Sequence, residues 1–282
     1  MEIDEKTLGH FIDLAIKEDI GDGDHTSLAT IPTDHKGKAR LLVKEEGIIA
    51  GIEVAEMVFL KLDHSVIFKP LMKDGQPVKY GDIVFEVEGK TIAILQAERL
   101  VLNIMQRMSG IATQTRLYVD KLQGLKTKIL DTRKTTPGMR LLDKYAVKTG
   151  DGENHRIGLY DMILIKDNHI DFSGGIENAL DKTFEYLKKK GKNLKIEIEA
   201  RSINDVERIL AKGGIDRIML DNFTPELTKQ AVQLINGRYE IESSGNITIE
   251  NIRDYAECGV DYISVGALTH QIESLDLSLK AV

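Results

Sequence analysis

Cysteine is nearly absent from this sequence. Cys258 is the single cysteine among 282 residues, so an internal disulfide is excluded and a reducing compartment is favoured. We expect Cys258 to be a small apolar filler near a helix end, because no residue beside it would lower the pKa of its thiol. A disulfide scaffold and a cysteine nucleophile are therefore set aside.

Long apolar runs and long basic runs are also lacking. No stretch reaches the roughly 18 to 20 apolar residues of a membrane span, and the N-terminus, MEIDEKTLGH, is acidic where a signal peptide would be basic and then apolar. Acidic residues outnumber basic ones, 45 to 38, for a net charge of -7, which argues against nucleic acid or a membrane surface as the main partner. We expect a cytoplasmic protein.

Short aliphatic runs that alternate with longer segments of helical spacing dominate the chain from Lys128 onward. This βα repetition predicts parallel strands with right-handed crossovers. The runs show little polar alternation, as expected of strands covered on both faces. The predicted strands are 128–130, 162–165, 194–198, 217–220, 239–241 and 261–265.

Polar residues follow every one of these runs. Active sites of α/β barrels lie at the carboxyl ends of the strands, whereas an open sheet places its ligand near one switch point, so the pattern favours a barrel or partial barrel. The first 110 or so residues instead predict an α+β domain, with a helix at 10–17, strands at 38–43 and 83–87, a hairpin in 74–89 and a helix at 93–117. The expected domains are 1–112 and 113–282, with the C-terminal tail able to pack back on the first.

Cationic residues gather around the first two predicted strands. Arg133 and Lys134 follow the first, Lys166 follows the second, and His155-Arg156 lies between them. Arginine can bind a carboxylate through two N–H groups, and lysine supplies a point charge suited to phosphate, so these residues predict a cleft for a polyanion. Lys166 could alternatively form a Schiff base.

Carboxylates and small residues follow the later strands. Glu199 and Asp221 are predicted to contact ribose hydroxyls and to help hold Mg²⁺, which proteins bind through one or two carboxylates plus substrate phosphates. Neutralisation of nearby lysines is the alternative. A phosphate site is predicted from the last two loops, which contain Ser244, Gly245, Asn246, Ser264, Val265 and Gly266.

Two further patterns, the segment at 21–26 and the spacing of the histidines, do not indicate a binding site. The segment GDGDHT at 21–26 lacks the third glycine of a dinucleotide loop and has no strand before it, so we predict a helix stop followed by a capping Asp or Thr. The histidines are scattered without metal-ligand spacing, which makes a zinc site an unattractive hypothesis.

Eight motifs, in order, resemble the quinolinate phosphoribosyltransferase family: TRKTTPG, RxxxKYAV, NHR, LIKDNH, EIEA, LDNF, SSGN and SVG. The resemblance includes the early EDIGDGDHTS and the segment ERLVLNIMQRMSGIAT, so it extends over nearly the whole chain. It implies an α/β protein with an N-terminal α+β sandwich domain followed by an incomplete α/β barrel. It also implies a homodimer or higher homo-oligomer in which one subunit's N-terminal region completes its neighbour's site.

The resemblance implies roles for particular residues. Lys134, Lys166, Glu199 and Asp221 would be catalytic, and Glu199 and Asp221 would hold Mg²⁺, partly through the substrate pyrophosphate. Quinolinate would be bound by Arg133, His155, Arg156 and Lys166, with Thr132 beside them and Arg99 reaching in from the partner. Phosphoribosyl pyrophosphate would be bound by Lys134, Glu199, Asp221, Ser244, Gly245, Asn246, Ser264, Val265 and Gly266, with Asp167 and His169 close by.

One position departs from the family pattern. Asp151 replaces the middle residue of a glycine triplet, and its negative charge could weaken anion binding unless the side chain turns outward.

The activity implied is transfer of phosphoribosyl from phosphoribosyl pyrophosphate to quinolinate with decarboxylation, a step of NAD biosynthesis. The products would be nicotinate mononucleotide, pyrophosphate and carbon dioxide. Three alternatives stay open: a phosphoribosyltransferase for nicotinate or another base, a noncatalytic sensor of a sugar phosphate, and a Schiff-base aldolase acting through Lys166.

Overall fold

The computed structural model describes residues 5–282, which group into two compact units. The first unit comprises the chain up to Arg116 together with Thr135–Asp151 and Leu268–Val282, and the second comprises Leu117–Lys134 and Gly152–Ala267. In this grouping, 135–151 and 268–282 belong with the N-terminal residues. None of the described helices is long and apolar enough to cross a membrane.

The first unit is built on a four-stranded antiparallel sheet. The strand order is β12 (Leu277–Ala281), β1 (Lys36–Val43), β5 (Ile83–Lys90) and β3 (Ile67–Pro70). A second, two-stranded sheet pairs β2 (Gly47–Ile48) with β4 (Pro77–Val78). The helices are α1 (Glu5–Ile20), α2 (His25–Thr30), α3 (Ile52–Leu62), α5 (Arg140–Thr149) and α4 (Thr91–Lys121), whose last turn enters the second unit.

Aromatic packing joins this sheet to a helix. Phe59 of α3 lies 6.0 Å, centroid to centroid, from both Phe68 of β3 and Phe85 of β5, and the last two rings are 4.5 Å apart. Phe59 and Phe85 are fully buried. Burying an aromatic side chain stabilises the fold by about 1.5–3 kcal/mol, so these rings stabilise the packing of α3 on the sheet.

Several N-terminal predictions can be compared with these elements. The helices predicted at 10–17 and 93–117 are present and longer, and Asp24 caps α2 by accepting the Ser27 N–H at 3.1 Å, as the helix-stop interpretation of 21–26 requires. The hairpin predicted in 74–89 is wrong. β4 pairs with β2, and β5 pairs with β1 and β3, because the turn at 79–82 directs the chain onto a different sheet.

The second unit contains a six-stranded parallel sheet with β6 and β7 at its two edges, and this arrangement confirms the incomplete α/β barrel. All six predicted strands are present. Their spatial order is β6 (Lys128–Leu130), β11 (Tyr262–Ser264), β10 (Glu240–Ser244), β9 (Arg217–Asp221), β8 (Ile196–Ala200) and β7 (Ile163–Ile165). The helices that follow the strands are α6 (Asp167–Ser173), α7 (Ile176–Lys190), α8 (Ile203–Lys212), α9 (Pro225–Ile235), α10 (Ile252–Ala256) and α11 (Ala267–His270), the last of which passes into the first unit.

The barrel strands are covered on both faces, but the expectation of little polar alternation is wrong. In β8, Glu197 and Glu199 alternate with Ile196 and Ile198, and all four are buried. Successive side chains of a strand point to opposite faces, so one face of β8 is apolar and the other carries carboxylates. Glu242 of β10 is likewise fully buried. The interior of this barrel is therefore partly charged.

Candidate active site

Lys166 and Glu199 form an ion pair at the carboxyl ends of β7 and β8. The carboxylate also accepts the backbone N–H of Asp167 at 2.9 Å, which fixes it against the start of α6. Only 5% of the Glu199 side chain is exposed, whereas 47% of the Lys166 side chain is. The cation therefore faces solvent while its counter-ion stays in place behind it.

Asp221 ends the next strand, β9, and shares this site. Burial and the nearby charge of Glu199 raise the pKa of its carboxyl group, against the opposing effects of Asn222 and Lys166. Asn222 Nδ2 donates to Asp221 Oδ2 at 2.9 Å. A carboxylate whose ionisation is opposed by burial and by a neighbouring negative charge favours a cation beside it.

Two arginines lie close together on the β6 side of the site. Arg133 follows β6 and is exposed, and Arg156 comes from the segment bonded to that strand. Burial lowers the pKa of Arg156, and repulsion from Arg133 lowers it further. Its Nη1 donates to the Met162 carbonyl at 3.2 Å. A bound anion would relieve the repulsion between the two guanidinium groups.

Loop geometry positions the residues around these cations. The backbone N–H of Lys134 donates to Thr132 Oγ1 at 3.0 Å, which shapes the turn after β6. His169 Nδ1 accepts the Lys166 N–H at 2.9 Å and so caps α6. His169 therefore contacts the backbone N–H of Lys166.

The loops after β9 and β10 interlock through left-handed backbone. Asn222 (φ 56°), Gly245 (φ 92°) and Asn246 (φ 53°) all have positive φ, and Asn246 Nδ2 donates to Asn222 Oδ1 at 3.0 Å. A Cβ on Gly245 would lie 2.2 Å from Asn222 Oδ1, so only glycine fits there. Ser264, at the end of β11, donates its hydroxyl to Ser244 Oγ at 3.1 Å. Asn222, the segment 244–246 and Ser264 thus lie together at three adjacent strand ends.

Comparison with known proteins assigns the chain to a family. The model of the N-terminal domain of quinolinate phosphoribosyl transferase matches residues 24–109, and the model of the C-terminal domain matches residues 111–280. This chain belongs to the quinolinate phosphoribosyltransferase family. It resembles quinolinate phosphoribosyltransferase [decarboxylating] 1b of Nicotiana tabacum, with 47% identity over 95% of this chain and 81% of the relative.

Other members of the quinolinate phosphoribosyltransferase family are similar along their full length. The probable nicotinate-nucleotide pyrophosphorylase [carboxylating] of Bacillus subtilis is 42% identical over 98% of this chain and 92% of its own. The crystal structure of NadC from Streptococcus pyogenes superposes with a TM-score of 0.93 at 38% identity, covering 100% of this chain and 99% of that one.

Two residues that bear on the family assignment lie in the first unit. Arg99 lies on α4 and is exposed. Asp151 has a left-handed backbone (φ 67°), and its exposed carboxylate pairs with Arg116 Nη2 at 2.7 Å. A glycine would adopt this conformation more readily, as in the family's glycine triplet. The extra negative charge is thus turned outward and neutralised.

His155 occupies a different environment from the one that sequence reasoning emphasised. Its side chain is 6% exposed, and its Nε2 lies 3.0 Å from Glu197 Oε2 and 3.3 Å from Glu242 Oε2. Its backbone N–H donates to Asp131 Oδ1 at 2.8 Å. The role of His155 in the quinolinate pocket of the family stays a prediction, because the ring faces carboxylates inside the barrel.

Sequence reasoning missed four residues around His155. They are the fully buried Asp131, Glu197 and Glu242 and the largely buried Arg217, whose Nη1 lies 3.0 Å from Glu242 Oε2. One signal was present: the alternation Ile-Glu-Ile-Glu at 196–199 marks a strand with one polar face. Nothing in the sequence shows that the two glutamates meet.

Proposed function

We propose that Arg133, Arg156, Lys166, Glu199 and Asp221 carry the family reaction in this protein. It transfers phosphoribosyl from phosphoribosyl pyrophosphate to quinolinate with decarboxylation, giving nicotinate mononucleotide, pyrophosphate and carbon dioxide. The observation that carries this proposal is the pair of arginines, Arg133 and Arg156, whose charges repel each other although Glu197, Asp161 and Glu199 partly offset the charge of Arg156. A dicarboxylate acceptor would add two anions to such a site.

Recognition of the acceptor follows from the chemistry of the cations. Each guanidinium can bind one carboxylate through two parallel N–H bonds, which fixes the plane of the pyridine ring. Lys166, half exposed beside Glu199, can pair with a substrate anion without losing contact with its counter-ion. Thr132 and His155 are proposed as further quinolinate-binding residues. Lys134 and the loops at 244–246 and 264–266 are proposed to bind the phosphates.

The residues fit a magnesium ion accompanying phosphoribosyl pyrophosphate. Mg²⁺ prefers one or two protein carboxylates plus substrate phosphates. The carboxylate of Glu199 is engaged by Lys166 and by the Asp167 N–H, whereas the pKa of Asp221 is raised by burial and by Glu199. Asp221 would therefore be the principal ligand and Glu199 a supporting one. The ion would neutralise charge on the departing pyrophosphate.

The protein's own groups mainly orient and neutralise. Holding two reactants in line can recover on the order of 7 to 11 kcal/mol of the barrier. Lys134 and Lys166 stabilise the negative charge that develops as pyrophosphate leaves. After transfer, the ring nitrogen is cationic. When the adjacent carboxylate departs as carbon dioxide, the electron pair stays on that ring carbon, where the neighbouring positive nitrogen stabilises it until the carbon takes up a proton. The ribosylated substrate thus stabilises its own carbanion.

Assembly and location complete the proposal. We propose a homodimer or higher homo-oligomer whose site receives Arg99 from the partner subunit. Large apolar side chains beside the β7 edge are exposed, including Leu159 (70%), Tyr160 (68%) and Phe172 (91%), and they support an interface there.

The lone Cys258 supports a cytoplasmic location.

The deciding experiment measures pyrophosphate release from phosphoribosyl pyrophosphate and Mg²⁺ with quinolinate and nicotinate in parallel. We expect turnover with quinolinate alone and carbon dioxide equal to pyrophosphate. Turnover with nicotinate would overturn the dicarboxylate assignment but leave the sugar-phosphate site. Binding without turnover would favour a sensor, and borohydride trapping of substrate on Lys166 would favour an aldolase.

A further inference from the structure

Four titratable or charged side chains meet inside the barrel, away from the strand-end site. Glu197 comes from β8, Arg217 from β9, Glu242 from β10, and His155 from the segment bonded to β6. Their closest atoms are 3.0 to 3.3 Å apart, and both carboxylates are fully buried. Branched apolar residues usually fill such barrels, and buried ion pairs rarely add stability. The cluster therefore suggests a role other than packing.

A cation site is the first alternative. His155, Glu197 and Glu242 offer ligand atoms within 4.8 Å of one another. The guanidinium of Arg217 already lies against both carboxylates, 3.0 Å from Glu242 and 4.0 Å from Glu197, and it stacks on Tyr262 at 4.0 Å. A divalent ion would have to displace this fixed positive charge. Arg217 is therefore the cation that faces the two carboxylates.

Hydrogen bonding defines the tautomer of His155. Its Nδ1 accepts the backbone N–H of Arg156 at 2.7 Å, so a proton on Nδ1 would oppose that N–H. The ring therefore carries its proton on Nε2, which faces Glu197 and Glu242. The facing carboxylates of Glu197 and Glu242 raise the pKa of His155 to about 9 in spite of its burial. A second ring proton would nevertheless lie on Nδ1, against the Arg156 N–H, so the hydrogen-bond geometry favours the neutral ring.

The same ring holds the backbone that carries Arg156. Asp131 accepts the His155 N–H at 2.8 Å and an Asn154 side-chain N–H at 2.7 Å. The segment 154–156 is thus held by Asp131 on one side and by the imidazole on the other. If the ring turned over, the Arg156 N–H would lose its acceptor.

We propose that Glu197 and Glu242 are positioning residues for the quinolinate site. They fix the His155 ring with Nδ1 toward the Arg156 backbone, and the ring in turn sets the place from which the Arg156 guanidinium meets a substrate carboxylate. Neither glutamate is proposed to touch substrate. The inference rests on the proposed function, in which Arg156 binds quinolinate.

The first test is spectroscopic and needs no substrate. Two-bond ¹H–¹⁵N correlation spectra of the imidazoles, with His155 assigned through His155→Gln, report which ring nitrogen is protonated. We expect a single Nε2–H tautomer near neutral pH in the wild type and a mixture in Glu197→Gln/Glu242→Gln. An Nδ1–H ring or an imidazolium in the wild type would overturn the proposal, even if the double variant does not fold.

The second test separates binding of the two substrates. In the double variant we expect KM for quinolinate to rise on the order of 10-fold or more, because Arg156 is misplaced, while KM for phosphoribosyl pyrophosphate stays within about twofold. Glu240→Gln is the matched control, because Glu240 lies on the same strand and binds the same Arg217 at 3.1 Å but is partly exposed. We expect wild-type values for it.

Different results would overturn the positioning role of Glu197 and Glu242 and the proposed function. Wild-type turnover of quinolinate with unchanged KM values and an unchanged tautomer in the double variant would overturn the positioning role and leave the function standing. A wild type that does not turn over quinolinate would overturn the function and, with it, the role assigned to Arg156.

Discussion

Single residues decide the electrostatics of this site. The acidic chain, with a net charge of -7, places Arg133, Arg156 and Lys166 around one group of strand ends. Arg133 is exposed on its loop, and its charge repels that of Arg156. Local charge opposed to the global charge is a functional arrangement rather than a stabilising one.

Replacement of Arg133 tests whether this cation serves the reaction rather than the stability of the fold. We expect Arg133→Ala to lower kcat/KM for quinolinate about 100-fold, because a charge-assisted bond of 2–3 kcal/mol is lost. The melting temperature should stay near the wild-type value, since the residue is exposed. Steady-state kinetics and thermal unfolding measure the two effects. Lys126→Ala, an exposed cation just before the same strand, is the control, and wild-type turnover in Arg133→Ala would contradict the assignment.

Glu197 makes the free energy of unfolding fall as pH rises, which is the reverse of the usual effect of a carboxylate. Its pKa is about 7 in the folded protein and 4.5 for the free side chain, so the folded state binds the proton more tightly. Its contribution is therefore complete below pH 4.5 and is lost as pH rises through 7. We expect the wild type to lose on the order of 3 kcal/mol relative to Glu197→Gln across this window.

Urea unfolding at several pH values measures the difference between the two proteins. Glu242 remains in both proteins. Burial raises its pKa, but His155, Ser264 and Arg217 together outweigh burial and lower it, so its own contribution has the opposite sign. Parallel stability curves for wild type and Glu197→Gln would show that Glu197 titrates normally.

At the scale of elements, the loops after β9 and β10 are tied by one close approach. We expect Gly245→Ala to lower the free energy of unfolding by about 2–4 kcal/mol, through both left-handed strain and the clash with Asn222. Gly124→Ala has a similar φ of 84° but meets nothing within 4 Å, so it should cost only about 1 kcal/mol. Equal losses in urea unfolding would mean that Asn222 moves aside without cost.

The elements also show what the sequence could predict. Six short aliphatic runs located the barrel strands, because β-branched residues between polar turns leave few other solutions. The pairing of β4 with β2 could not be predicted, since a glycine turn indicates a reversal of the chain but not its partner. The contact between Glu197 and Glu242 depends on the register of β8, β9 and β10, which only the folded sheet defines.

At the scale of the whole molecule, the two compact units are not consecutive in sequence. The first unit includes α5 and β12, which lie 140 or more residues along the chain, and β12 pairs with β1 in register from Ala39–Ala281 to Val43–Leu277. We expected the C-terminal tail to be able to pack back on the first domain, but local patterns could not predict its pairing with β1, because a strand's periodicity does not identify a distant partner. The first unit also carries Arg99, whose proposed role in the partner's site depends on assembly.

Mixed assemblies test whether sites are shared between subunits. Arg99→Ala and Lys166→Ala are each expected to be inactive alone. If Arg99 acts in its partner's site, a mixed dimer contains one site with both defects and one intact site, so random mixing restores about a quarter of wild-type activity. If Arg99 acts in its own subunit, every site in the mixture keeps a defect and no activity returns. Refolding the variants together and assaying pyrophosphate release decides between these outcomes, and refolding each variant alone is the control.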